Sequence, residues 1–406
     1  MRRTVTSLCF VLLLACGCGS ESPREPRGLG TGGTGGVEPV TGGTGGADPL
    51  TGGTGGVEPM TGGTAGSHTG ASGGIIWGGT GGIEPPIGGT GGVEPVTGGT
   101  GGIEPPIGGT GGTTGSCDSS SPSCAAGLDC SGTSCCSRSL VPGGTFSRGA
   151  NSAYPATVSD FCMDDYEVTV GRFRAFVAAY VPWRAAGNPA PGAGEHVPGA
   201  GSGWQTSWDA YLPARAVDVA SRAACDATYQ TWSDTPGSAD VENRPINCVD
   251  WYVGFAFCIW DGGRLATEAE WEYAAGSGSE NRTYAWGFTT PTTEYAAYFC
   301  MGDGSASEVC SSADIVTVGS RPLGDGAWGQ ADLTGNLNEW LLDWFADPYV
   351  PASCVDCANV TEASFRSIRG GSWGSPTWDI AVQARYHSDP TIALNNTGLR
   401  CVRSPR

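Results

Sequence analysis

The segment from Asp332 to Glu339 places four potential oxygen ligands close together in the sequence. Asp332 and Glu339 offer carboxylates, while Gly335 and Leu337 offer backbone carbonyls. Calcium takes ligands of this kind, because it is a hard cation that accepts both carboxylate and carbonyl oxygens in a flexible shell. The sequence therefore predicts a structural calcium site in this loop. The alternative interpretation of the two acids is a solvated turn.

Two cysteines three positions apart are a second place where chemistry could occur. Cys354 and Cys357 form a C-x₂-C pair, a pattern found in thiol–disulfide oxidoreductases and in zinc sites. The sequence has no second pair at metal-ligand spacing, and no βαβ pattern surrounds this one. A local structural disulfide is therefore the favoured interpretation.

Histidine is scarce in this chain, which has only His68, His196 and His387. A zinc cluster or a histidine-activated nucleophile is therefore disfavoured. Asp379 and His387 could act together as an acid and a base, but their spacing does not fix the distance between them.

Three helices are predicted to support these residues. The first has Thr169 as its N-cap and apolar side chains at positions i, i+3, i+4 and i+7. These side chains are Phe173, Phe176, Val177 and Tyr180. A second, apolar helix is predicted to run through Cys258. The third follows a capping box of Thr267 and Glu270 and is expected to end at Gly276.

The composition favours one main folded domain and argues against nucleic acid as a partner. The chain has 406 residues, of which 69 are glycine and 27 are proline, so much of it cannot form a packed core. Acidic residues outnumber basic ones 40 to 21, which gives a formal charge of -19. No run rich in lysine or arginine offsets this charge, which repels phosphate backbones.

Residues 1–15 have the pattern of a bacterial lipoprotein signal peptide. Two arginines precede a short apolar run, and the sequence Leu13-Leu14-Ala15-Cys16 resembles a lipobox. Cys16 is therefore the predicted lipidation site, with Cys18 as the alternative. An ordinary secretory signal is the other interpretation. The mature chain is expected to be exported and anchored by lipid to the cell envelope, with the outer membrane favoured.

Residues 16–116 are predicted to be a disordered tether. From position 28 onward, a ten-residue unit rich in Thr, Gly, Glu and Pro repeats. One or two aliphatic residues per unit cannot bury a stacking face or offset the entropy of ordering so many glycines. A flexible linker is therefore favoured over a solenoid or a glycine-rich packed fold.

Residues 117–138 form a short cysteine-rich segment. It has too little apolar area for a core, so disulfides must hold it together. Its cysteines are Cys117, Cys124, Cys130, Cys135 and Cys136. An odd number requires at least one partner outside the segment, and Cys162 is the expected one.

Several phrases within residues 139–406 follow one another in the order of a known family. They are the opening strand and turn at 141–146 and the phrases at 263–273, 332–340, 369–373 and 398–401. Together they resemble the formylglycine-generating enzyme family, also called the sulfatase-modifying factor family. The resemblance implies an irregular mixed α+β fold that is related to C-type lectins and has little regular secondary structure.

The resemblance also implies particular cross-links and ligands. In that family the cysteine at the Cys258 position pairs with the one at the Cys401 position, and the loop 332–339 binds calcium. Proximity in sequence suggests two further pairs, Cys225 with Cys248 and Cys300 with Cys310. Spacing alone leaves this connectivity open.

The catalytic residues of the family are not present. Active members carry two cysteines, which bind copper and activate oxygen to convert a cysteine in a Cys-x-Pro-x-Arg sequence to formylglycine. The matching positions here are Ser375 and Ile380, and no cysteine lies between Gly370 and Arg400. Copper is therefore not expected, because a hydroxyl and an aliphatic chain supply no soft donor.

Other groups of the family's groove are retained, which leaves two hypotheses for the function. The candidate groove and ligand residues are Ser372, Trp373, Trp378, Asp379, Arg385, His387 and Asn396. The first hypothesis is a non-catalytic module that binds a protein, peptide or glycan through aromatic and polar side chains. The alternative is a divergent formylglycine-generating oxidase or another enzyme that uses the same groove. The two tryptophans could instead be core residues.

Overall fold

A computed structural model describes residues 116–118, 120–124, 127–305 and 309–406. The predicted signal peptide, the lipidation site Cys16 and the tether up to residue 115 lie outside the described residues. Within the part that is described, no helix is long and apolar enough to cross a membrane.

The three predicted helices are confirmed, with two shorter ones between them. The helices are α1 (Val170–Ala185), α2 (Ala216–Arg222), α3 (Ala239–Glu242), α4 (Trp251–Trp260) and α5 (Glu268–Ala275). Thr169 caps α1, as predicted, by accepting a hydrogen bond from Arg172 N. Thr267 and Glu270 form the predicted capping box of α5. Asp250 is the N-cap of α4, so all three helices are defined by local side-chain contacts.

The strands are short and form several small sheets. They are β1 (Asp129–Cys130), β2 (Thr133–Ser134), β3 (Arg138–Val141), β4 (Gly144–Ser147), β5 (Pro155–Val158), β6 (Phe161–Asp164), β7 (Arg264–Leu265), β8 (Asn338–Trp344), β9 (Cys354–Val355), β10 (Arg366–Arg369), β11 (Tyr386–Ser388), β12 (Thr397–Gly398) and β13 (Cys401–Arg403). This is the irregular mixed α+β fold that the resemblance implied.

Two four-stranded sheets organise the domain. One has the order β3-β6-β13-β7, so it brings the start of the domain next to its C-terminal strand. The other has the order β11-β10-β8-β12, in which β8 pairs antiparallel with β10 and parallel with β12. The segment before β8 carries three of the predicted calcium residues, and the segment after β10 carries the predicted groove residues Ser372, Trp373, Trp378 and Asp379. A smaller sheet contains β4, β5 and β9.

The main hydrophobic core lies between α1, α4 and the second of these sheets. Phe173 and Phe176 of α1 pack on Phe257 of α4, with ring centroids 6.0 and 5.6 Å apart. Trp251 and Trp340 are fully buried, and their indole N–H groups donate to backbone carbonyls. Burying the indoles therefore leaves no orphaned donor, which limits the free-energy cost of placing them in the core.

Disulfides cross-link the domain along its length. The pairs are Cys117–Cys162, Cys124–Cys136, Cys130–Cys135, Cys225–Cys248, Cys258–Cys401, Cys300–Cys310 and Cys354–Cys357. These agree with the pairs expected from the sequence, including the bond from the cysteine-rich segment to Cys162. Every cysteine of the described residues is therefore in a disulfide.

The cysteine-rich segment is docked onto the domain by polar contacts. Ser123 N donates to Asp261 Oδ1 at 3.1 Å, and Arg172 donates through Nε to Ser123 Oγ at 3.1 Å. Arg172 also bonds Asp261 at 2.8 Å, and all three side chains are buried. The segment therefore contributes to the interior of the folded domain.

Candidate functional site

The phrase 369–373, which carries part of the family resemblance, contains a Gly-Gly-Ser turn at residues 370–372 that follows β10. Gly370 and Gly371 have positive φ angles of 98° and 72°. A Cβ on Gly371 would lie 2.7 Å from Cγ2 of Ile380, so both the conformation and the close approach require glycine. After the turn, Ser372 N donates to Ser375 Oγ at 3.0 Å, and the two hydroxyl oxygens are 3.3 Å apart.

The two positions where active family members carry cysteines offer no copper ligand. The hydroxyl of Ser375 is engaged with Ser372, and Ile380 is fully buried in a cluster with Ala296 and Tyr298. Neither side chain is a soft donor. No cysteine from Cys117 onward supplies a thiolate, because all of them are in disulfides. The residues present therefore do not fit a copper centre of the family type.

Two arginines that flank this loop in the sequence belong to a buried ionic network. Arg369 donates to Glu268 at 2.9 Å and to Glu272 at 2.6 Å. Arg385 donates through Nε and Nη2 to the two oxygens of Glu268, at 2.7 and 2.9 Å. The hydroxyl of Tyr349 donates to Glu272 and accepts from Arg369. Arg385, which was predicted to line the groove, therefore forms a salt bridge with Glu268.

The network pairs two arginines with two glutamates, which favours the ionised forms of Glu268 and Arg369 despite burial. Burial would raise the pKa of Glu268, but Arg369 and Arg385 hold that pKa below its ordinary value. Burial would likewise lower the pKa of Arg369, yet Tyr349 and the two glutamates raise it. The arrangement gives the loop after β10 a rigid base.

The aromatic groove candidates are divided between the core and the surface. Trp373 is buried and stacks on Tyr229, with ring centroids 4.7 Å apart, and its indole N–H has no hydrogen-bond partner among the described residues. Trp378 is 73 % exposed. Of the two predicted tryptophans, Trp373 is thus a core residue, while Trp378 is available to a ligand.

Asp379 and His387, the predicted acid–base pair, make contacts with other side chains. His387 lies between Phe345 and Phe365, with ring centroids 4.4 and 4.6 Å away. Burial and the neighbouring Asp379 raise the pKa of Tyr386. The contacts of these residues do not assemble an acid–base dyad.

Asn396, the last groove candidate, supports the end of β8. Its backbone carbonyl accepts from Asn338 N at 2.9 Å and from Asn338 Nδ2 at 3.2 Å. Its side-chain oxygen accepts from Thr397 Oγ1 at 3.1 Å. These contacts position the strand that follows the predicted calcium loop.

In the predicted calcium loop, Glu339 has a different role from the one expected. Its Oε1 accepts from Arg400 Nε at 3.0 Å, and its Oε2 accepts from Trp271 Nε1 at 2.8 Å. Arg400 Nη2 also lies 2.9 Å from Glu339 Oε1, and both side chains are almost fully buried. Glu339 therefore already has a counter-charge and does not fit the role of a free calcium ligand.

The other three predicted donors are compatible with a calcium ion. Asp332 uses Oδ2 to accept from Gly319 N at 2.7 Å. The carbonyl oxygens of Gly335 and Leu337 accept no hydrogen bond from the residues that are described. No group of three or more His, Cys, Asp or Glu side chains in the described residues is arranged to hold a metal.

The comparison with known families agrees with the motifs and with the short-stranded fold. The model of the sulfatase-modifying factor enzyme 1-like domain family matches residues 129–405. The chain belongs to this family. The match begins inside the cysteine-rich segment, which agrees with the docking of that segment onto the domain.

Curated relatives of this family member include enzymes and a protein named as inactive. The formylglycine-generating enzyme of Streptomyces coelicolor is 30% identical over 289 residues, which are 64% of this chain and 87% of that protein. The mouse protein named inactive C-alpha-formylglycine-generating enzyme 2 is 26% identical over 293 residues, which are 65% of this chain and 84% of that protein. The match to the solved structure of PvdO from Pseudomonas aeruginosa covers 66% of this chain and 94% of the PvdO chain, with 23% identity and a TM-score of 0.44.

The sequence did not reveal several buried charged residues of this sulfatase-modifying factor-like domain, and Arg366 is an example. Arg366 begins β10 and is 2% exposed, and its guanidinium carbon lies 3.6 Å from the ring centroids of Trp251 and Trp344. No spacing pattern connects these three residues, because they belong to different elements. The sequence of β10, Arg-Ser-Ile-Arg, does not by itself indicate that its arginines are buried.

Proposed function

We propose that this chain is an exported, envelope-tethered protein whose sulfatase-modifying factor-like domain binds a ligand and does not generate formylglycine. The observation that carries this proposal is the absence of a thiolate ligand in the described domain. Ser375 bonds Ser372, Ile380 is buried, and the cysteines from Cys117 onward are in disulfides. Copper chemistry of the family type requires soft donors that these residues do not supply.

Two further facts support a binding role. The family includes a mouse relative whose name describes it as inactive, so loss of the activity is compatible with this domain. The exposed ring of Trp378 lies in the loop that follows the Gly-Gly-Ser turn. An aromatic side chain on a rigid frame suits contact with a protein, a peptide or a glycan.

Titration with Cu(I) of the purified chain carrying Cys9→Ser, Cys16→Ser and Cys18→Ser tests the loss of the metal site, because these three cysteines are not among the disulfide-bonded ones and would bind Cu(I) themselves. We expect no tight, stoichiometric binding, whereas the Streptomyces coelicolor relative serves as the positive control. The disulfides must stay oxidised during the titration, because reduced cysteines elsewhere would bind Cu(I) non-specifically. Stoichiometric binding by the oxidised chain would contradict the proposal.

The envelope location depends on the predicted lipid anchor at Cys16. Acylation of this residue would hold the chain on a membrane without a spanning helix. We expect wild-type protein to partition with the membrane fraction and Cys16→Ser to be soluble, with Cys18→Ser as the matched control. Retention of Cys16→Ser on membranes would argue against this anchor.

We also propose a structural calcium ion held by the Asp332 carboxylate and the carbonyl oxygens of Gly335 and Leu337. Bound calcium would stabilise only the folded state. Chelation is therefore expected to lower the melting temperature of the wild type by about 5 °C. Asp332→Asn, which keeps an oxygen for Gly319 N, should melt at the same temperature with and without chelator.

The choice of variant matters for the calcium experiment. Glu339→Ala is not diagnostic, because it would leave the buried Arg400 unpaired whether or not calcium binds. An unchanged wild-type melt after chelation, or an equal chelator response in Asp332→Asn, would refute the site.

A further inference from the structure

A disulfide between close neighbours in the sequence lies in the wall of a cavity. The bond joins Cys354 and Cys357, which are three positions apart in the sequence. Both cysteines line a cavity of about 280 Å³, together with residues of the loop 196–202. Thiol–disulfide exchange requires that a thiolate reach one of the two sulfur atoms, so access from a cavity favours this reaction.

Cys354 is the more accessible member of the pair. It lies at the edge of a small sheet, because β9 is the last strand in the order β4-β5-β9. Cys354 is half-buried, whereas Cys357 is 8% exposed. The Cys130–Cys135 pair is also short, with a separation of five residues, but its cysteines are only 1% and 0% exposed. The two pairs therefore differ more in access than in loop length.

The segment that carries Cys354 and Cys357 is also held by contacts other than the disulfide. Asp356 N donates to Thr157 O at 2.8 Å, and the Asp356 carboxylate accepts from the backbone N and the hydroxyl of Ser159 at 2.6 and 2.7 Å. A bond that closes so short a loop restricts the unfolded chain only slightly. Opening it should therefore leave the domain folded.

We propose that the Cys354–Cys357 disulfide is a thiol–disulfide exchange site, which a dithiol reduces in the folded domain from the side of the cavity. A thiolate of the dithiol attacks Cys354 Sγ and forms a mixed disulfide. Cys357 leaves as a thiolate and takes up the proton that the attacking thiol released to water. The second thiol of the dithiol then displaces Cys354, so the reductant becomes a cyclic disulfide and two electrons pass to the protein.

The same contacts make the reaction reversible. Because β5 and Ser159 hold the segment in both states, the thiol of Cys357 stays next to Cys354 after reduction. A small disulfide compound can then form a mixed disulfide with Cys354, which Cys357 resolves by displacing the compound's thiol. The domain would thus accept or release two electrons without unfolding.

The exchange site is independent of the proposed loss of catalysis. None of the residues that line its cavity belongs to the Ser372–Ile380 loop. Reduction would place thiols at Cys354 and Cys357 and would leave Ser375 and Ile380 unchanged. A failure of exchange would therefore not affect the copper argument, and formation of formylglycine would not affect this site.

Reduction of the native full-length chain with dithiothreitol tests the proposal. Samples are quenched with acid at intervals, free thiols are alkylated, and mass spectrometry of the peptides gives the reduction rate of each disulfide. We expect Cys354–Cys357 to be reduced at least about tenfold faster than Cys130–Cys135, because the exchange rate depends on access to sulfur. Equal rates, or faster reduction of Cys130–Cys135, would overturn the proposal.

Circular dichroism recorded during the same reaction tests whether the domain stays folded. The signal should be unchanged while Cys354 and Cys357 become reactive to alkylation, and the melting temperature should fall by no more than about 5 °C. Addition of oxidised glutathione after removal of dithiothreitol should restore the bond. Loss of the native signal at the rate of reduction would contradict exchange in the folded domain.

A bulky residue at the cavity wall tests the direction of attack. Ala200 is exposed and lines the cavity, so Ala200→Trp should hinder entry and slow the reduction of Cys354–Cys357 at least about twofold. Ala214→Trp adds the same side chain at an exposed position that does not line this cavity, and it should leave the rate unchanged. Equal rates in the two variants would refute attack from the cavity.

Discussion

Replacing Cys258 and Cys401 together by alanine will lower the free energy of unfolding by about 5 kcal/mol. This disulfide joins α4 to β13 across a sequence separation of 143 residues, and both cysteines are fully buried. Without the bond, the unfolded chain regains the entropy of a long open loop. Since domains are typically stable by only about 5–15 kcal/mol, the variant is expected to be close to unfolding.

The matched control is the pair Cys300 and Cys310, which are 10 residues apart. Loop-closure entropy gives a loss of about 3 kcal/mol for this shorter loop. Guanidinium denaturation of the two double variants, with the other disulfides intact, measures the difference. Equal losses, or a larger loss for the short loop, would show that loop length does not determine the contribution of these bonds.

Replacing Arg369 by methionine will lower the free energy of unfolding by about 3–5 kcal/mol, because the change removes the charged partner of two buried carboxylates. Arg369 bonds Glu268 and Glu272 and is fully buried. Arg385 still neutralises Glu268 in the variant, whereas Glu272 retains only neutral donors such as Tyr349. The loss should therefore come mainly from Glu272.

A double variant and a surface control make this prediction specific. Adding Glu272→Gln to Arg369→Met should restore part of the lost stability, because it removes the unpaired charge. Arg215→Met breaks an exposed pair with Asp218 and should have no measurable effect. Denaturant titration compares the variants. A loss in Arg369→Met no larger than in Arg215→Met would rule out a structural role for the network.

Local signals in the sequence were sufficient to predict the helices and several of the disulfides. Thr169, Thr267 and Glu270 act within one turn of their own helix, so their spacing alone predicts the caps. Cys225 and Cys248 are 23 residues apart, and near neighbours in sequence meet easily. The pair Cys258–Cys401 is distant, and it was predicted only because the motifs resembled a known family.

Long-range polar contacts could not be predicted in this way. Glu339 has the spacing of a calcium ligand, yet it pairs with Arg400 from a distant part of the chain. Asp379 and His387 have residue types suited to acid–base chemistry, but neighbouring aromatic side chains hold His387. Residue type and spacing indicate what a side chain could do, whereas its partners depend on which elements pack together.

The aromatic surroundings of Arg366 also could not be predicted from the sequence. Two tryptophans from separate elements enclose the guanidinium, and Trp208 comes from a third segment. The Gly-Gly-Ser turn, in contrast, was identified from its motif, and the replacement of its cysteines was visible at Ser375 and Ile380. The loss of the metal ligands was therefore predictable, while the aromatic surroundings of Arg366 required the structure.

Aerobic incubation of the full-length chain with Cu(I) and a Cys-x-Pro-x-Arg peptide tests the absence of formylglycine-generating activity most directly. Mass spectrometry detects conversion of the peptide cysteine to the aldehyde, and the Streptomyces coelicolor relative provides the positive control. We predict that the peptide is recovered unconverted, because Ser375 and Ile380 provide no copper ligands. Aldehyde formation that depends on this chain would contradict the non-catalytic function proposed for it.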